Sequence, residues 1–151
     1  DDYIAEQLRK SEAEYVGGQF GWPLNGATNY VVTCRYGWRT YLIYGYWTTD
    51  FHNGIDLRCV VGTEVYAANA GTVIIATYHA SYGYYVLIDH GGGYSSLYAH
   101  MSVRYVNVGD TVQKGQMIGR VGNTGNSRGA HLHFEVKVNG NNVNPALYLG
   151  I

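Results

Sequence analysis

One segment of the sequence alternates strictly between polar and apolar side chains: His131-Leu132-His133-Phe134-Glu135-Val136-Lys137-Val138. Such alternation predicts a strand, because successive side chains of a strand point to opposite faces of the sheet. The four apolar residues would then fill a core. His131 and His133 would share the other face, roughly 6.6 Å apart at about 3.3 Å per residue. This segment therefore requires a sheet with one buried face and one polar face.

Glycine and tyrosine are unusually frequent in this chain of 151 residues. Glycine contributes 21 residues and tyrosine 16, whereas only 14% of the residues are charged. Glycine favours tight turns and tyrosine favours strands, so the composition predicts short strands joined by turns. We therefore expect an all-β, mainly antiparallel fold of the β-sandwich or split-barrel type.

Further strands are expected where β-favouring residues stand between turn signals. Residues 37–51 are rich in aromatic side chains and are expected to form an irregular stretch, which is long for a loop without a function. Tyr46 and Trp47 in this stretch, together with Tyr82, are candidates for the lining of a substrate groove. The expected strands are residues 31–36, 64–67, 71–77, 84–89, 94–100, 103–106, 117–121 and 131–138.

The first residues of the chain differ from the rest in composition. They are polar and charged, with Ile4 and Leu8 at helical spacing, and Gly17-Gly18 follow. This pattern predicts a helical segment over residues 1–16 and a second unit over residues 17–151. The helix is expected to be the end of a longer stalk or coiled coil, and it could bind a protein partner.

Charge and cysteine content narrow the function classes. The formal net charge of -1 gives no electrostatic footprint for nucleic acid. No apolar stretch of about 18 residues is present, so we expect no membrane-spanning helix in this segment. Cys34 and Cys59 either form a disulfide, which would close a loop of about 25 residues, or remain buried thiols. The sequence leaves both alternatives open.

Three separated segments contain the residue types of a catalytic metal site: His52-Asn53-Gly54-Ile55-Asp56, Tyr98-Ala99-His100 and His131-Leu132-His133. Catalytic zinc sites usually take three protein ligands and leave one position for water. No single segment is specific by itself, whereas the three together are much more so. Glu135 should share the face of His133, where we expect it to be exposed to solvent, with a hydrogen bond to a site residue as the alternative.

These three segments resemble the motifs of the lysostaphin/LytM-type zinc endopeptidases. The resemblance also includes glycine-rich turns and covers roughly residues 20–150, in the order found in the family. It implies a β-rich, LytM-like fold with a groove over one zinc ion, and cleavage of peptide bonds in bacterial peptidoglycan. It also implies an extracellular or cell-envelope location. The sequence does not specify whether a glycine bridge, a stem-peptide bond or a direct cross-link is cut.

The same resemblance implies roles for single residues. His52, Asp56 and His133 match the zinc ligands, and His100 and His131 match the two catalytic histidines. Which of these two histidines is the general base stays open. The sequence departs from the usual pattern of the family at several other positions, none of them a ligand or a catalytic histidine: Arg58, Cys59, Tyr84, Ala130 and Asn144.

Three other functions are alternatives. A non-catalytic cell-envelope module could bind peptidoglycan or regulate another wall hydrolase, but the chain keeps all five metal and catalytic positions. A cysteine peptidase would need a reactive thiol at the start of a helix, and neither Cys34 nor Cys59 has that setting. A lipoyl- or biotinyl-type carrier would need a hairpin lysine in a suitable context, which the sequence lacks.

Overall fold

The computed structural model describes residues 20–25 and 28–151 of the chain. The predicted helix over residues 1–16 lies outside these residues. None of the described segments forms a helix long and apolar enough to cross a membrane. The described part contains twelve strands and one four-residue helix. They are β1 (Val31–Cys34), β2 (Gly37–Ile43), β3 (Tyr46–His52), β4 (Ile55–Arg58), β5 (Glu64–Tyr66), β6 (Gly71–His79), β7 (Gly83–Gly91), β8 (Tyr94–Arg104), β9 (Thr111–Val112), β10 (Met117–Val121), β11 (His131–Val138), β12 (Asn141–Val143) and α1 (Ala146–Leu149).

Ten of these strands form one antiparallel sheet. Its main path runs β1–β4–β11–β8–β7–β6–β9, with β12 beside β11 and with β10 pairing both β5 and β8. The prediction of an all-β, mainly antiparallel fold is therefore confirmed. The strand that alternates most clearly in sequence, β11, lies between β4 and β8 in the middle of the sheet.

The apolar face of β11 packs into the main core. Leu132, Phe134 and Val136 are fully buried, and Phe134 contacts the ring of Tyr98 from β8 at 5.3 Å between centroids. Burial of a side chain of this size contributes about 1.5–3 kcal/mol. The opposite face of β11 is therefore fixed toward the groove that contains the two histidines of the strand.

The prediction of an irregular stretch over residues 37–51 is wrong. Strands β2 and β3 form a hairpin that pairs from Gly37↔His52 to Ile43↔Tyr46 and stands apart from the main sheet. Its two-residue loop, Tyr44-Gly45, has φ values of 50° and 80°, as a primed hairpin turn requires. Aromatic and aliphatic side chains occupy both faces of this hairpin. The alternation of polar and apolar residues that reveals a strand is therefore absent from its sequence.

Two other differences from the predicted elements affect the site. Residues 94–100 and the first two residues of the predicted strand 103–106 belong to one continuous strand, β8, which passes through His100 at a φ of 62° and ends at Arg104. Strand β4, which contains Asp56, is additional to the predicted strands. It is only four residues long and follows the tight bend at Gly54, so its sequence carries little periodicity.

Candidate metal centre and groove

Four strands bring the five predicted site residues into one groove. His52 ends β3, Asp56 lies in β4, His100 lies in β8, and His131 and His133 lie in β11. In the sheet register, Asp56 is opposite His133 on one side, and Ala99, the neighbour of His100, is opposite it on the other. Residues 81 positions apart in the sequence therefore meet because β11 lies centrally in the sheet.

Asp56 is the point on which the imidazole nitrogens converge. Its Oδ1 atom lies 2.7 Å from Nδ1 of His133 and 3.3 Å from Nε2 of His52. Both histidines are buried, and their rings lie edge to face at 5.1 Å between centroids. Two nitrogens and one carboxylate oxygen are a donor set that suits a divalent ion such as zinc, with a further position left for water.

The outer nitrogens of both rings are held by hydrogen-bond acceptors. Nδ1 of His52 lies 3.0 Å from the carbonyl oxygen of Arg35, and Nε2 of His133 lies 2.7 Å from Oε2 of Glu135. A carbonyl or carboxylate oxygen only accepts, so each of these nitrogens donates its hydrogen outward. The opposite nitrogen of each ring then faces Asp56. Partners of this kind orient the histidine ligands of metal sites, so the residues present fit a bound metal.

Glu135 is buried rather than exposed to solvent, so the expectation of exposure is wrong. Its side chain is 1% exposed, and Oε2 also accepts a hydrogen bond of 3.0 Å from the hydroxyl of Tyr82. Nζ of Lys137 lies 3.0 Å from Oε1. Burial opposes ionisation of Glu135, but the hydrogen bond from His133 outweighs it and lowers the pKa of the carboxyl group. Glu135 therefore stays ionised and positions His133.

Of the three aromatic residues predicted to line the groove, Tyr82 is the one that contributes directly to its lining. Its ring lies 6.0 Å from that of His133, between centroids. Burial raises the pKa of its hydroxyl, and the charge of Glu135 raises it further. Tyr82 therefore remains a neutral hydrogen-bond donor that covers Glu135.

His100 and His131 form a second pair beside His52, Asp56 and His133. Their ring centroids are 4.7 Å apart. Nδ1 of His100 lies 2.7 Å from the carbonyl oxygen of Thr124, and Nδ1 of His131 lies 2.8 Å from that of Gly129. Both rings therefore donate Nδ1–H to the backbone, which leaves Nε2 without a hydrogen when the ring is neutral. Burial lowers the pKa of His100 to about 4, although the Thr124 carbonyl opposes this shift.

The loop that holds these two rings packs closely on the turn before β7. A side chain at Gly83 would collide with Thr124, and one at Gly125 would collide with the backbone of Gly83. Both glycines also have φ near 70° (66° and 74°), in the left-handed region that favours glycine. The close contact fixes the Thr124 carbonyl against His100.

The β2–β3 hairpin forms one wall of the groove. Arg39, Tyr41 and Ile43 line it, and Nε of Arg39 and the Tyr41 hydroxyl contact Asp50 at 2.6 and 2.9 Å. Tyr46 is the cross-strand partner of Ile43 and so lies on the groove side of the hairpin. Trp47 is paired with Leu42 on the opposite face and is 76% exposed. The structure therefore places Trp47 away from the groove.

Cys34 and Cys59 are both free thiols, so the disulfide considered above is not formed. Cys34 is paired with Asp56 across β1 and β4, whereas Cys59 lies three residues after Asp56 and is buried in the core. The odd spacing from Asp56 directs the two thiols to different faces. One donor atom from each of Cys34, His52 and Asp56 lies within 4.8 Å of the others. Cys34 is thus an additional potential metal donor.

Comparison with known proteins connects this groove to peptidases. Residues 50–145, which include all five site residues, match the family described as Peptidase family M23. The chain is 44% identical over 93 residues to peptidoglycan DD-endopeptidase ShyA of Vibrio cholerae serotype O1, covering 62% of this chain and 22% of ShyA. The chain spans between 20% and 26% of the length of the first curated relatives that it matches.

Solved structures of peptidases share this fold. A zinc-containing peptidase from Vibrio cholerae has a TM-score of 0.76 and 32% identity, covering 85% of this chain and 39% of that chain. The catalytic domain of the antimicrobial peptidase lysostaphin from Staphylococcus simulans has a TM-score of 0.73 and 32% identity. That match covers 82% of this chain and 94% of the lysostaphin domain. The described strands therefore correspond to nearly a whole peptidase domain.

Proposed function

Because the chain belongs to peptidase family M23, we propose that it is a zinc-dependent endopeptidase that hydrolyses peptide bonds in bacterial peptidoglycan. One observation carries this proposal. Four histidines surround Asp56 in a single groove, and each has its outer nitrogen on a hydrogen-bond acceptor. Every ring is thereby oriented to bind a metal or to accept a proton at its other nitrogen. This substrate would place the protein outside the cell or in the cell envelope.

His52, Asp56 and His133 would hold the zinc ion. When bound, zinc supplies an activated water near neutral pH and polarises the scissile carbonyl group. Burial opposes ionisation of Asp56, but the hydrogen bond from His133 and the close contact with His52 outweigh it and lower the pKa of the carboxyl group. Asp56 is therefore a carboxylate at neutral pH and reduces the net charge of the loaded site.

His100 and His131 would handle the protons of the reaction. A general base must lie within hydrogen-bond reach of the proton that it removes, and both rings line the groove with Nε2 available. One of them orients the attacking water and accepts its proton. The other, in its protonated form, donates its Nε2 hydrogen to the oxyanion that forms on the substrate. The backbone carbonyls of Thr124 and Gly129 hold both rings in place for these roles.

Zinc binding to the metal-free protein is expected to release about one proton at pH 7. Burial of His133 disfavours its protonated form, but Asp56 and Glu135 outweigh this effect and raise its pKa to about 9. Below that pH a proton on His133 competes with the metal, so the apparent affinity should rise with pH until about 9. Calorimetric titration in buffers of different ionisation enthalpy counts the released protons. No release at pH 7 would contradict this account of His133.

The proposed function is tested by incubating the zinc-loaded protein with purified cell walls. New amino groups should appear with time, and removal of zinc with a chelator should stop their release. Mass spectrometry of the released muropeptides identifies the bond that is cut. A folded, zinc-loaded protein that binds walls but releases no amines would favour the non-catalytic envelope module instead.

A further inference from the structure

The groove contains two arginines that have no partner in the described part of the chain. Arg58, the last residue of β4, and Arg128, in the loop over residues 122–130, both line the groove and are exposed. Within residues 20–25 and 28–151, neither guanidinium forms an ion pair or a hydrogen bond. Their charges are therefore available to a molecule bound in the groove.

The other charges of the groove are already balanced. Arg39 pairs with Asp50 at 2.6 Å, and the buried Glu135 pairs with Lys137 at 3.0 Å. Asp56 faces His52 and His133, where a metal would bind. Two positive charges remain in a chain whose formal net charge is -1. The positive groove is thus a local feature, and the protein as a whole is not basic.

Both arginines lie on the His131 side of the metal ligands. Arg58 is two residues beyond Asp56 on the same strand, so their side chains share a face of the sheet. It is also directly opposite His131 in the register of β4 and β11. Arg128 is three residues before His131 in the loop that supplies the Gly129 carbonyl. A substrate group bound by both arginines would therefore lie beside the reacting peptide bond.

We propose that Arg58 and Arg128 form a subsite for a carboxylate group, so that the substrate is an acidic peptide. A guanidinium group binds a carboxylate through two parallel N–H donors, and the planar fork makes this contact specific. Within the proposed endopeptidase function, on which this inference rests, the subsite selects a peptidoglycan stem peptide with a free carboxylate over an uncharged glycine bridge.

Binding to an inactive variant separates this subsite from catalysis. Zinc-loaded His100→Ala protein is titrated by calorimetry with a short acidic peptide and with its amidated twin. Two such acid and amide pairs are prepared. In one pair the carboxylate is the C-terminus of the peptide, and in the other it is on a side chain, so the comparison shows which kind of carboxylate is bound. We expect the acidic peptide of one pair to bind about three- to tenfold more tightly than its amidated twin, which is the size of effect that exposed ion pairs produce. The preference should shrink as ionic strength rises.

Substitution of the arginines tests their part in this preference. Arg58→Gln and Arg128→Gln should each reduce it, and the double variant should bind acid and amide equally. Lys114→Gln is the matched control, because it removes one positive charge from an exposed turn outside the groove. Circular dichroism and thermal melting confirm that each variant is folded. The inference would be overturned if the protein that retains Arg58 and Arg128 bound the acidic and the amidated peptide equally in each of the two pairs.

Turnover by the unsubstituted enzyme distinguishes failure of the subsite from failure of the proposed function. Cleavage of the acidic and amidated peptides with equal kcat/KM and equal affinity would overturn the subsite and leave the endopeptidase proposal in place. Preferential binding of the acidic peptides without cleavage of any peptide or wall would support the subsite and overturn the endopeptidase proposal.

Discussion

His133→Ala is expected to abolish zinc binding at micromolar metal concentrations. The substitution removes the Nδ1 atom that lies 2.7 Å from Asp56, and it leaves Oε2 of the buried Glu135 with the Tyr82 hydroxyl but without His133. Loss of an outer hydrogen-bond partner of a metal ligand already weakens binding by about 10–100-fold, so loss of the ligand itself should weaken it by more than about 100-fold. Metal analysis after dialysis and calorimetric titration measure the effect.

His131→Ala is the matched control for this experiment. The two histidines lie on the same strand and the same face, but Nε2 of His131 is 3.7 Å from Asp56 and its Nδ1 is held by Gly129. Because His133 is buried, its loss could also destabilise the fold, so thermal melting accompanies both variants. His52→Gln provides a second ligand variant and should lose zinc as well. Equal zinc retention by His133→Ala and His131→Ala would refute the ligand assignment.

The central strand could be predicted from sequence because its two faces have opposite requirements. The core accepts only apolar side chains from β11, and the groove face carries the polar ones, so the period of two is uninterrupted. The observed bounds, His131–Val138, match the predicted residues 131–138. The β2–β3 hairpin has no such contrast, because Trp38 on its outer face and Tyr41 on its groove face are both aromatic. Its pairing follows from the turn at Tyr44-Gly45, which is a weak signal in a stretch rich in tyrosine and glycine.

The surroundings of the proposed zinc ligands could be predicted less well than their convergence in one groove. His52, Asp56 and His133 belong to local patterns, whereas the neighbours of these residues depend on which strands are adjacent in the sheet. Cys34 reaches the site because β1 pairs with β4, and nothing in its local sequence indicates that pairing. Glu135 is buried because Tyr82, more than 50 residues earlier in the chain, covers it.

Arg58 illustrates what a departure from a family pattern can indicate. The sequence shows an arginine where small apolar residues are common, but it does not show where the side chain points. The register of β4 with β11 directs it to the groove face, beside His131. This departure from the family pattern thereby adds a positive charge to the groove.

His131→Ala is expected to lower kcat by about 100- to 10,000-fold while zinc content stays near one ion per chain. The variant removes a proton-handling group at the reacting bond, but it leaves His52, Asp56 and His133 in place. Because the mutation acts on the chemical step, KM for a peptide substrate should change much less than kcat. Steady-state kinetics with a soluble peptide, together with metal analysis of the same preparation, measure all three quantities.

The double variant His100→Ala/His131→Ala tests whether the two rings act as a unit. Their centroids are 4.7 Å apart, and each is held by a carbonyl of the same loop, so each should depend on the other in the reaction. Residues that act together have non-additive effects, and the double variant should therefore be about as slow as the slower single variant. Multiplied losses would mean that the rings contribute independently. A His131→Ala enzyme with full kcat would remove His131 from the mechanism and leave proton transfer to His100 alone.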